Sequence, residues 1–156
     1  MPLHDTSNLF PIEHLAVVDA LYRFGAGVDH SDEALLATAF SDDAVVDVTP
    51  FSRRWGLEFP VLTGRETIVG FLGATGERQT TTHVVTNPRV TSDGDAATLS
   101  ALVEATHLIK SDHSRRCRTM NWYAAELVLK VGLWRIRRLV IDGAWFTGDV
   151  QVLTGN

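Results

Sequence analysis

The sequence has 156 residues, 45% of them hydrophobic and 21% charged, which is long enough and apolar enough for one domain with a sizeable core. The formal net charge of −5 argues against non-specific nucleic-acid binding, which needs a basic surface. The single cysteine excludes an internal disulfide framework and fits a reducing compartment.

No targeting segment is visible, because the N-terminus lacks a basic stretch followed by an apolar run. No uninterrupted apolar run approaches the ~20 residues that a membrane helix needs. We therefore expect a soluble cytoplasmic protein without a membrane or nucleic-acid partner. Residues 1–8 are polar and are predicted to form an N-terminal arm.

The first long element is a predicted helix from Ile12 to Val28, whose helical spacing brings one apolar set together: Leu15, Val18, Tyr22 and Ala26. Asp29 follows Tyr22 by two turns and therefore continues the same face. A carboxylate in line with an apolar stripe breaks the pattern, and burying it without a hydrogen-bonded or charged partner would be costly. Gly25 and Gly27 lower the helix propensity just before it, so the helix is expected to be frayed or tightly packed there.

Shorter elements follow. Ser31 is predicted to cap a second helix, and Ala44 to Val48 form a short strand. The segment from Thr49 to Leu62 contains two prolines and several aromatic residues, Trp55 among them, and is predicted to be a loop that lines or covers a pocket. Thr63-Gly64-Arg65-Glu66 has the pattern of a capping box, which predicts the start of a third helix.

The second half of the chain is predicted to consist of strands. Runs from Thr80 to Val90 and from Ala96 to Thr106 flank an Asp-Gly turn, which is a strong hairpin signal. After a polar loop at 111–116, strands are predicted from Cys117 to Lys130 and from Leu133 to Phe146, and residues 147–156 are a short tail. Helices followed by an antiparallel meander predict an α+β fold in which a curved sheet wraps over a helix.

His83 is the first candidate for chemistry, since an imidazole titrates near neutral pH. Strand alternation places Thr81, His83 and Val85 on one face. If that face lines a pocket, a carboxylate on one ring nitrogen would leave the other as a general base. Two alternatives remain open: His83 can bond a backbone carbonyl, and Asp29 can cap the second helix.

Other polar residues are weaker candidates. Tyr22 either hydrogen-bonds a substrate or is a core aromatic, and Asn121 and Tyr123 share one strand face and could orient a polar substrate group. Glu104 and Glu126 are predicted to form structural salt bridges with an arginine of the last strand. His107, His113 and Cys117 have no recognised ligand spacing, so neither a metal nor another cofactor is expected.

Five short motifs follow one another along the chain: Gly27-Val28-Asp29-His30, Ser41-Asp42-Asp43-Ala44, Thr63-Gly64-Arg65-Glu66, Thr82-His83-Val84-Val85-Thr86-Asn87 and Leu133-Trp134-Arg135-Ile136. This order resembles the SnoaL-like family of the nuclear-transport-factor-2-like superfamily over residues 11–146. The resemblance implies a single cystatin-like domain, a cone-shaped α+β barrel with a deep apolar pocket between the sheet and the first helix.

Within that superfamily the pattern is similar to the scytalone dehydratase and hexachlorocyclohexane dehydrochlorinase types, which use an Asp-His dyad to take a proton while a leaving group departs. Asp29 and His83 stand at the matching positions. Phe24 stands where the dehydrochlorinase type has a lysine, and Val48 where the dehydratase type has a tyrosine. The resemblance implies a cofactor-independent lyase or isomerase for a small apolar cyclic substrate. From their positions in the predicted elements, we expect Tyr22, Trp55, Asn121 and Tyr123 to bind this substrate.

A second function remains open: a non-catalytic ligand-binding protein, or a structural subunit that resembles the small subunit of ring-hydroxylating dioxygenases. A structural subunit should lack a ligand-sized cavity beside His83 and should bind a larger partner chain. In either case the resemblance implies a homodimer or homotrimer that assembles through the outer face of the sheet.

Overall fold

The computed structural model describes residues 12–155, so the arm predicted for residues 1–8 lies outside the described residues. The elements are α1 (Ile12–Asp29), α2 (Glu33–Thr38), β1 (Phe40–Asp47), α3 (Thr49–Trp55), β2 (Leu62–Thr63), α4 (Arg65–Gly73), α5 (Thr75–Arg78), β3 (Gln79–Asp93), β4 (Ala96–Ile109), β5 (Asp112–Lys130), β6 (Leu133–Gly148) and a C-terminal 3-10 helix (Val150–Thr154). Within the described range, no helix is long and apolar enough to span a membrane.

The six strands form one sheet in the order β2-β1-β6-β5-β4-β3. β3 to β6 form the predicted antiparallel meander, and α1 packs on the sheet. The predicted α+β class, a curved sheet over the first helix, is confirmed. The pairing of β1 with β6 is parallel, which the meander pattern did not predict. Three helices and four strands lie between these two strands along the chain, which leaves ample length for a parallel crossover.

The buried face of α1 differs from the predicted one. Leu15 is 53% exposed and Tyr22 is 46% exposed, so the prediction that they face the core is wrong. The buried stripe is instead Val17, Val18, Leu21, Phe24 and Val28. Both stripes have helical spacing, but the predicted one includes the hydroxyl of Tyr22 and continues to the carboxylate of Asp29, whereas the buried one has no polar side chain. The face with the greater apolar area packs against the core.

Gly25 and Gly27 lie where α1 is most closely packed, which resolves the choice between fraying and tight packing. A Cβ atom on Gly27 would lie 2.7 Å from Leu36 Cβ and 2.8 Å from Leu36 Cα. A Cβ atom on Gly25 would lie 3.0 Å from His83 Cβ. The two glycines therefore let α1 approach α2 on one side and β3 on the other.

Two predicted helix caps are wrong. Asp32, not Ser31, caps α2, and its side chain accepts a hydrogen bond from Leu35 N at 2.9 Å. The residue before α4 is Gly64, with φ of +87°, and no side-chain cap bond is present there, so the predicted capping box does not form. Because the backbone at Gly64 is in a conformation that favours glycine, the threonine before it is displaced from the capping position.

The segment from Thr49 to Leu62 is only partly a loop. Its first half is α3, with Pro50 in the first turn, where a fixed φ and a missing N–H are compatible with a helix. The helix ends at Gly56, which is left-handed with φ of +69°. Arg54 binds both carboxylate oxygens of Asp142 on β6, at 3.1 and 3.0 Å. This contact joins the aromatic segment to the sheet.

The predicted boundaries in the last third are also corrected. Residues 112–116, predicted as loop, begin β5, and their mostly exposed polar side chains gave no alternating signal. The predicted tail contains the 3-10 helix, whose Val152 is fully buried. The turn at Val131 and Gly132 is confirmed, with φ of +52° and +71°. Glu126 lies opposite Arg138 and Glu104 opposite Met120 in strand register, and neither glutamate lines the pocket that contains His83.

Candidate active site

A pocket lies between the inner face of the sheet, α1, and the aromatic segment from Thr49 to Leu62. Its cavity has a volume of about 140 Å³. An apolar cavity of roughly 150 Å³ admits benzene, so this volume fits one small ring. Exposed Pro60 and Phe71 mark the side that meets solvent. The lining is mostly apolar, and β3, β4 and β5 contribute polar groups to it. The lining residues are Phe24, Val48, Phe51, Phe59, Pro60, Leu62, Phe71, Leu72, Thr75, Gln79, His83, Ala105, His107, Thr119, Asn121, Tyr123, Ile141 and Leu153.

Asp29 and His83 are directly hydrogen-bonded, although 54 residues separate them. His83 Nδ1 lies 2.6 Å from Asp29 Oδ1, and the backbone N of His83 donates to Oδ2 at 2.8 Å. Thr81 Oγ1 also donates to Oδ1 at 2.8 Å. Strand alternation puts the side chains of Thr81 and His83 on the same face, and Asp29 reaches both from the last residue of α1. Three donors therefore hold one carboxylate.

The charge of Asp29 follows from these contacts. Burial alone would raise the pKa of Asp29, but the hydrogen bonds and charge of His83, together with the Thr81 hydroxyl, outweigh burial and hold that pKa below its usual value. An ionised carboxylate can only accept, so His83 Nδ1 carries a proton and, in the neutral ring, Nε2 does not. The alternative in which Asp29 caps α2 is wrong, because Asp32 is the cap.

Asn121 and Tyr123 lie in the pocket on β5, as their shared strand face predicts. Asn121 is 2% exposed; its Nδ2 donates to Thr119 Oγ1 at 2.9 Å and to Val103 O at 3.3 Å. Its Oδ1 has no partner among the residues the structure describes. A buried acceptor without a partner is costly, so this oxygen is suited to a ligand or water donor. Burial raises the pKa of Tyr123 well above its usual value, which keeps its hydroxyl protonated.

Two predicted substrate-binding residues are not part of the pocket lining. Tyr22 lies on the exposed face of α1, because the buried stripe is rotated away from it. Trp55 packs edge-on against Phe146, with ring centroids 4.8 Å apart, and against Phe51 at 6.3 Å. Trp55 therefore supports Phe51, which does line the pocket, and does not itself reach the cavity.

His107 and Gln79 line the pocket but were not among the predicted site residues. The ring centroid of His107 lies 6.1 Å from that of His83, and His107 Nδ1 lies 2.7 Å from Gln79 Oε1. The sequence contained a usable signal: alternation along β4 puts His107 on the same face as Val103 and Ala105, and hairpin register places it opposite Thr81. Across residues 12–155, no three His, Cys, Asp or Glu residues cluster as metal ligands.

The stability of the fold should depend on pH through His107. Burial, followed by the positive charge of His83 and opposed by Asp29, lowers the pKa of His107 to about 4. Between pH ~6.5 and that value the unfolded chain binds a proton that the folded chain does not. The free energy of unfolding should therefore decrease as the pH is lowered from ~6.5 to about 4, by up to about 3 kcal/mol. Urea unfolding at several pH values measures this slope.

His107→Asn should flatten that slope, whereas His113→Asn, at an exposed position near the start of β5, should leave it unchanged. If His107→Asn kept the wild-type dependence of unfolding free energy on pH, His107 would not be the group responsible for that dependence.

Comparisons with known proteins agree with this architecture. The SnoaL-like domain family matches residues 13–140. Terrestric acid biosynthesis cluster protein E of Penicillium crustosum is 30% identical over 149 residues, covering 88% of this chain and 86% of that protein. A candidate scytalone dehydratase from Novosphingobium aromaticivorans superposes with a TM-score of 0.77 at 21% identity, covering 94% and 92%. A type 2 hexachlorocyclohexane dehydrochlorinase superposes with a TM-score of 0.74 at 19% identity, covering 89% and 90%.

Proposed function

The chain belongs to the SnoaL-like domain family, and we propose that it is a cofactor-independent lyase or isomerase that removes a proton from a small, largely apolar cyclic substrate. One observation carries this proposal: an ionised Asp29 holds His83 Nδ1 at 2.6 Å, and His83 lines an apolar cavity large enough for one ring. The arrangement is that of an oriented base, with Asp29 as the positioning carboxylate.

The proposed reaction begins with a substrate C–H bond, next to an activating group, placed against His83 Nε2. The C–H bond breaks, the proton moves to Nε2, and Asp29 stabilises the resulting imidazolium. In a lyase the released electron pair forms a double bond as the leaving group departs. In an isomerase the pair forms an enolate, and His83 returns the proton to another carbon. The protonated Tyr123 hydroxyl and the amide of Asn121 supply polar contacts to the activating or leaving group.

The relatives support small-molecule chemistry as the setting. The curated relative is named for a biosynthesis cluster, and two fold neighbours are a dehydratase candidate and a dehydrochlorinase. In both of those named reactions a small group leaves the substrate. The cavity beside His83 also supports an enzyme or a ligand-binding protein over a purely structural subunit, for which an open cavity of this kind has no use.

An exchange experiment separates the enzyme from the ligand-binding alternative. The protein is incubated in D₂O with a panel of hydroxylated, oxo-substituted and halogenated six-membered ring compounds, and ¹H NMR follows their C–H signals. We expect at least one compound to lose a C–H signal, or to eliminate water or halide, faster than with heat-denatured protein. Compounds that bind in the pocket without any exchange or elimination would contradict the lyase or isomerase proposal.

We also propose that the chain forms a homodimer or homotrimer through the outer face of the sheet. Large apolar side chains are exposed there: Val84 by 51%, Trp122 by 56% and Trp145 by 42%. Isolated exposed apolar residues are ordinary, but three on one face of a sheet, on β3, β5 and β6, are typical of an interface. Sedimentation equilibrium measures the assembly, and a monomer at micromolar concentration would contradict it.

A further inference from the structure

A chain of hydrogen bonds joins the C-terminal 3-10 helix to the pocket through Gln79, the first residue of β3. Gln79 is 6% exposed, and its Nε2 donates to the backbone oxygen of Val152 at 2.9 Å. Its Oε1 lies 2.7 Å from His107 Nδ1. Val152 is fully buried, and the next residue, Leu153, lines the pocket. A segment that ends the described chain therefore reaches a pocket histidine through one amide side chain.

The chemistry of these groups determines where the protons lie. A backbone carbonyl can only accept a hydrogen bond, so the NH₂ group of Gln79 faces Val152 and Oε1 faces His107. An amide oxygen also only accepts, so His107 Nδ1 must carry a hydrogen. The carbonyl of Val152 thus selects the amide orientation, and the amide orientation selects the tautomer of His107.

The remaining nitrogen of His107 is then an acceptor. Burial lowers the pKa of His107 to about 4, so the ring is neutral near neutral pH and Nε2 carries a lone pair. His107 Nε2 has no hydrogen-bond partner among residues 12–155. The neighbouring titratable groups are His83, at 6.1 Å between ring centroids, Asp29, and Cys117 in strand register.

The two pocket histidines differ in the charge of their partners. His83 is held by a carboxylate, which stabilises an imidazolium and so suits a base that gains a proton. His107 is held by a neutral amide, which provides no such stabilisation. Because their partners differ in charge, His83 is suited to gain a proton and His107 to remain neutral.

We propose that Gln79 is a positioning residue that fixes His107 as the Nδ1–H tautomer. His107 Nε2 is then unprotonated before the substrate binds and accepts a hydrogen bond from a hydroxyl or N–H group of the substrate. The tautomer is a property of the free protein, whereas the substrate contact rests on the proposed function of the pocket. The proposal narrows the substrate to rings that carry a hydrogen-bond donor.

The experiment is ¹⁵N NMR of the full chain with ring-labelled histidines, assigned by comparison with His107→Asn. In the wild type at neutral pH we expect a protonated Nδ1 and an unprotonated Nε2 at His107. Gln79→Leu should shift His107 to mixed tautomers or to Nε2–H. Gln151→Leu makes the same chemical change at an exposed position of the same 3-10 helix and should leave the His107 signals unchanged.

Gln79→Glu keeps an oxygen acceptor for Nδ1 but replaces the donor to Val152 with a carboxylate. We expect this variant to retain the Nδ1–H tautomer and to raise the pH at which His107 protonates by at least one unit, because a negative charge now faces the ring. It serves as the second variant should Gln79→Leu fold poorly. An unchanged His107 titration in Gln79→Glu, or an Nδ1–H tautomer that persists in Gln79→Leu, would overturn the role of Gln79.

Phenol and anisole test the acceptor, since they share a ring and differ in the O–H donor. Phenol should move the His107 Nε2 resonance of the wild type, whereas anisole should not, and Gln79→Leu should lose the effect. The proposal that His107 Nε2 accepts a hydrogen bond from the substrate would be overturned by an Nε2–H tautomer of His107 in the wild type. It would also be overturned if phenol moved only the His83 signals. None of these readouts needs turnover, so an inactive protein with the expected His107 signals would count against the proposed lyase or isomerase and not against Gln79.

Discussion

Replacement of His83 with alanine is expected to lower turnover of any substrate found in the exchange panel by about 10²–10⁴-fold, the usual contribution of a positioned general base. Asp29→Asn should lower kcat comparably, because a neutral amide neither fixes the Nδ1–H tautomer nor stabilises an imidazolium. Initial rates under saturating substrate measure both effects. The loss should appear in kcat rather than in KM, since proton transfer and not ground-state binding is affected.

Stability has to be measured beside the rate, because Asp29 accepts three hydrogen bonds at a partly buried position. Asp29→Asn should lose about 1–3 kcal/mol of unfolding free energy, which leaves the protein folded at 25 °C. His113→Ala repeats the histidine change at an exposed site, and Tyr22→Phe alters the tyrosine that lies outside the pocket; both should keep wild-type rates. Undiminished turnover in His83→Ala would remove the pair from the mechanism.

The part of this site that the sequence predicted is the part that depends on strand geometry. Alternation with a period of two is fixed by the backbone, so Thr81, His83 and Val85 could be placed on one face, as could Asn121 and Tyr123. The contact between His83 and Asp29 spans 54 residues, and no local period reports such a distance. It was predicted from resemblance to a family and from the cost of an unpaired carboxylate on an apolar stripe.

The errors have physical causes of their own. Helix α1 contains two overlapping stripes with helical spacing, and only the competition for apolar burial selects the one with Val17 and Leu21 over the one with Tyr22. Gln79 could not be recognised because its partner is a backbone carbonyl, at Val152, and every residue has one. The 3-10 helix that presents this carbonyl was predicted as a tail, since five residues are too few for a periodic signal.

Gly27→Ala is expected to have the largest effect on stability of any single methyl addition in α1. A Cβ atom there would lie 2.7 Å from Leu36 Cβ and 2.8 Å from the Cα and N atoms of Leu36. Backbone atoms cannot rotate away as a flexible side chain can, so α1 and α2 must separate. The expected loss is about 2–3 kcal/mol of unfolding free energy, net of a gain of up to about 1 kcal/mol in helix propensity. Urea unfolding measures it.

Gly70→Ala is the matched control, since Gly70 is also helical and a Cβ atom there meets nothing within 4 Å. That variant should be as stable as the wild type or more stable by about 0.5–1 kcal/mol, because alanine favours the helix. Equal stabilities for Gly27→Ala and Gly70→Ala would mean that α1 and α2 are less closely packed than the structure has them. Asp29 ends the same helix two residues after Gly27, so separation of α1 from α2 also displaces the carboxylate that holds His83. Gly27→Ala should therefore lower turnover even at temperatures where it remains folded, whereas Gly70→Ala should not.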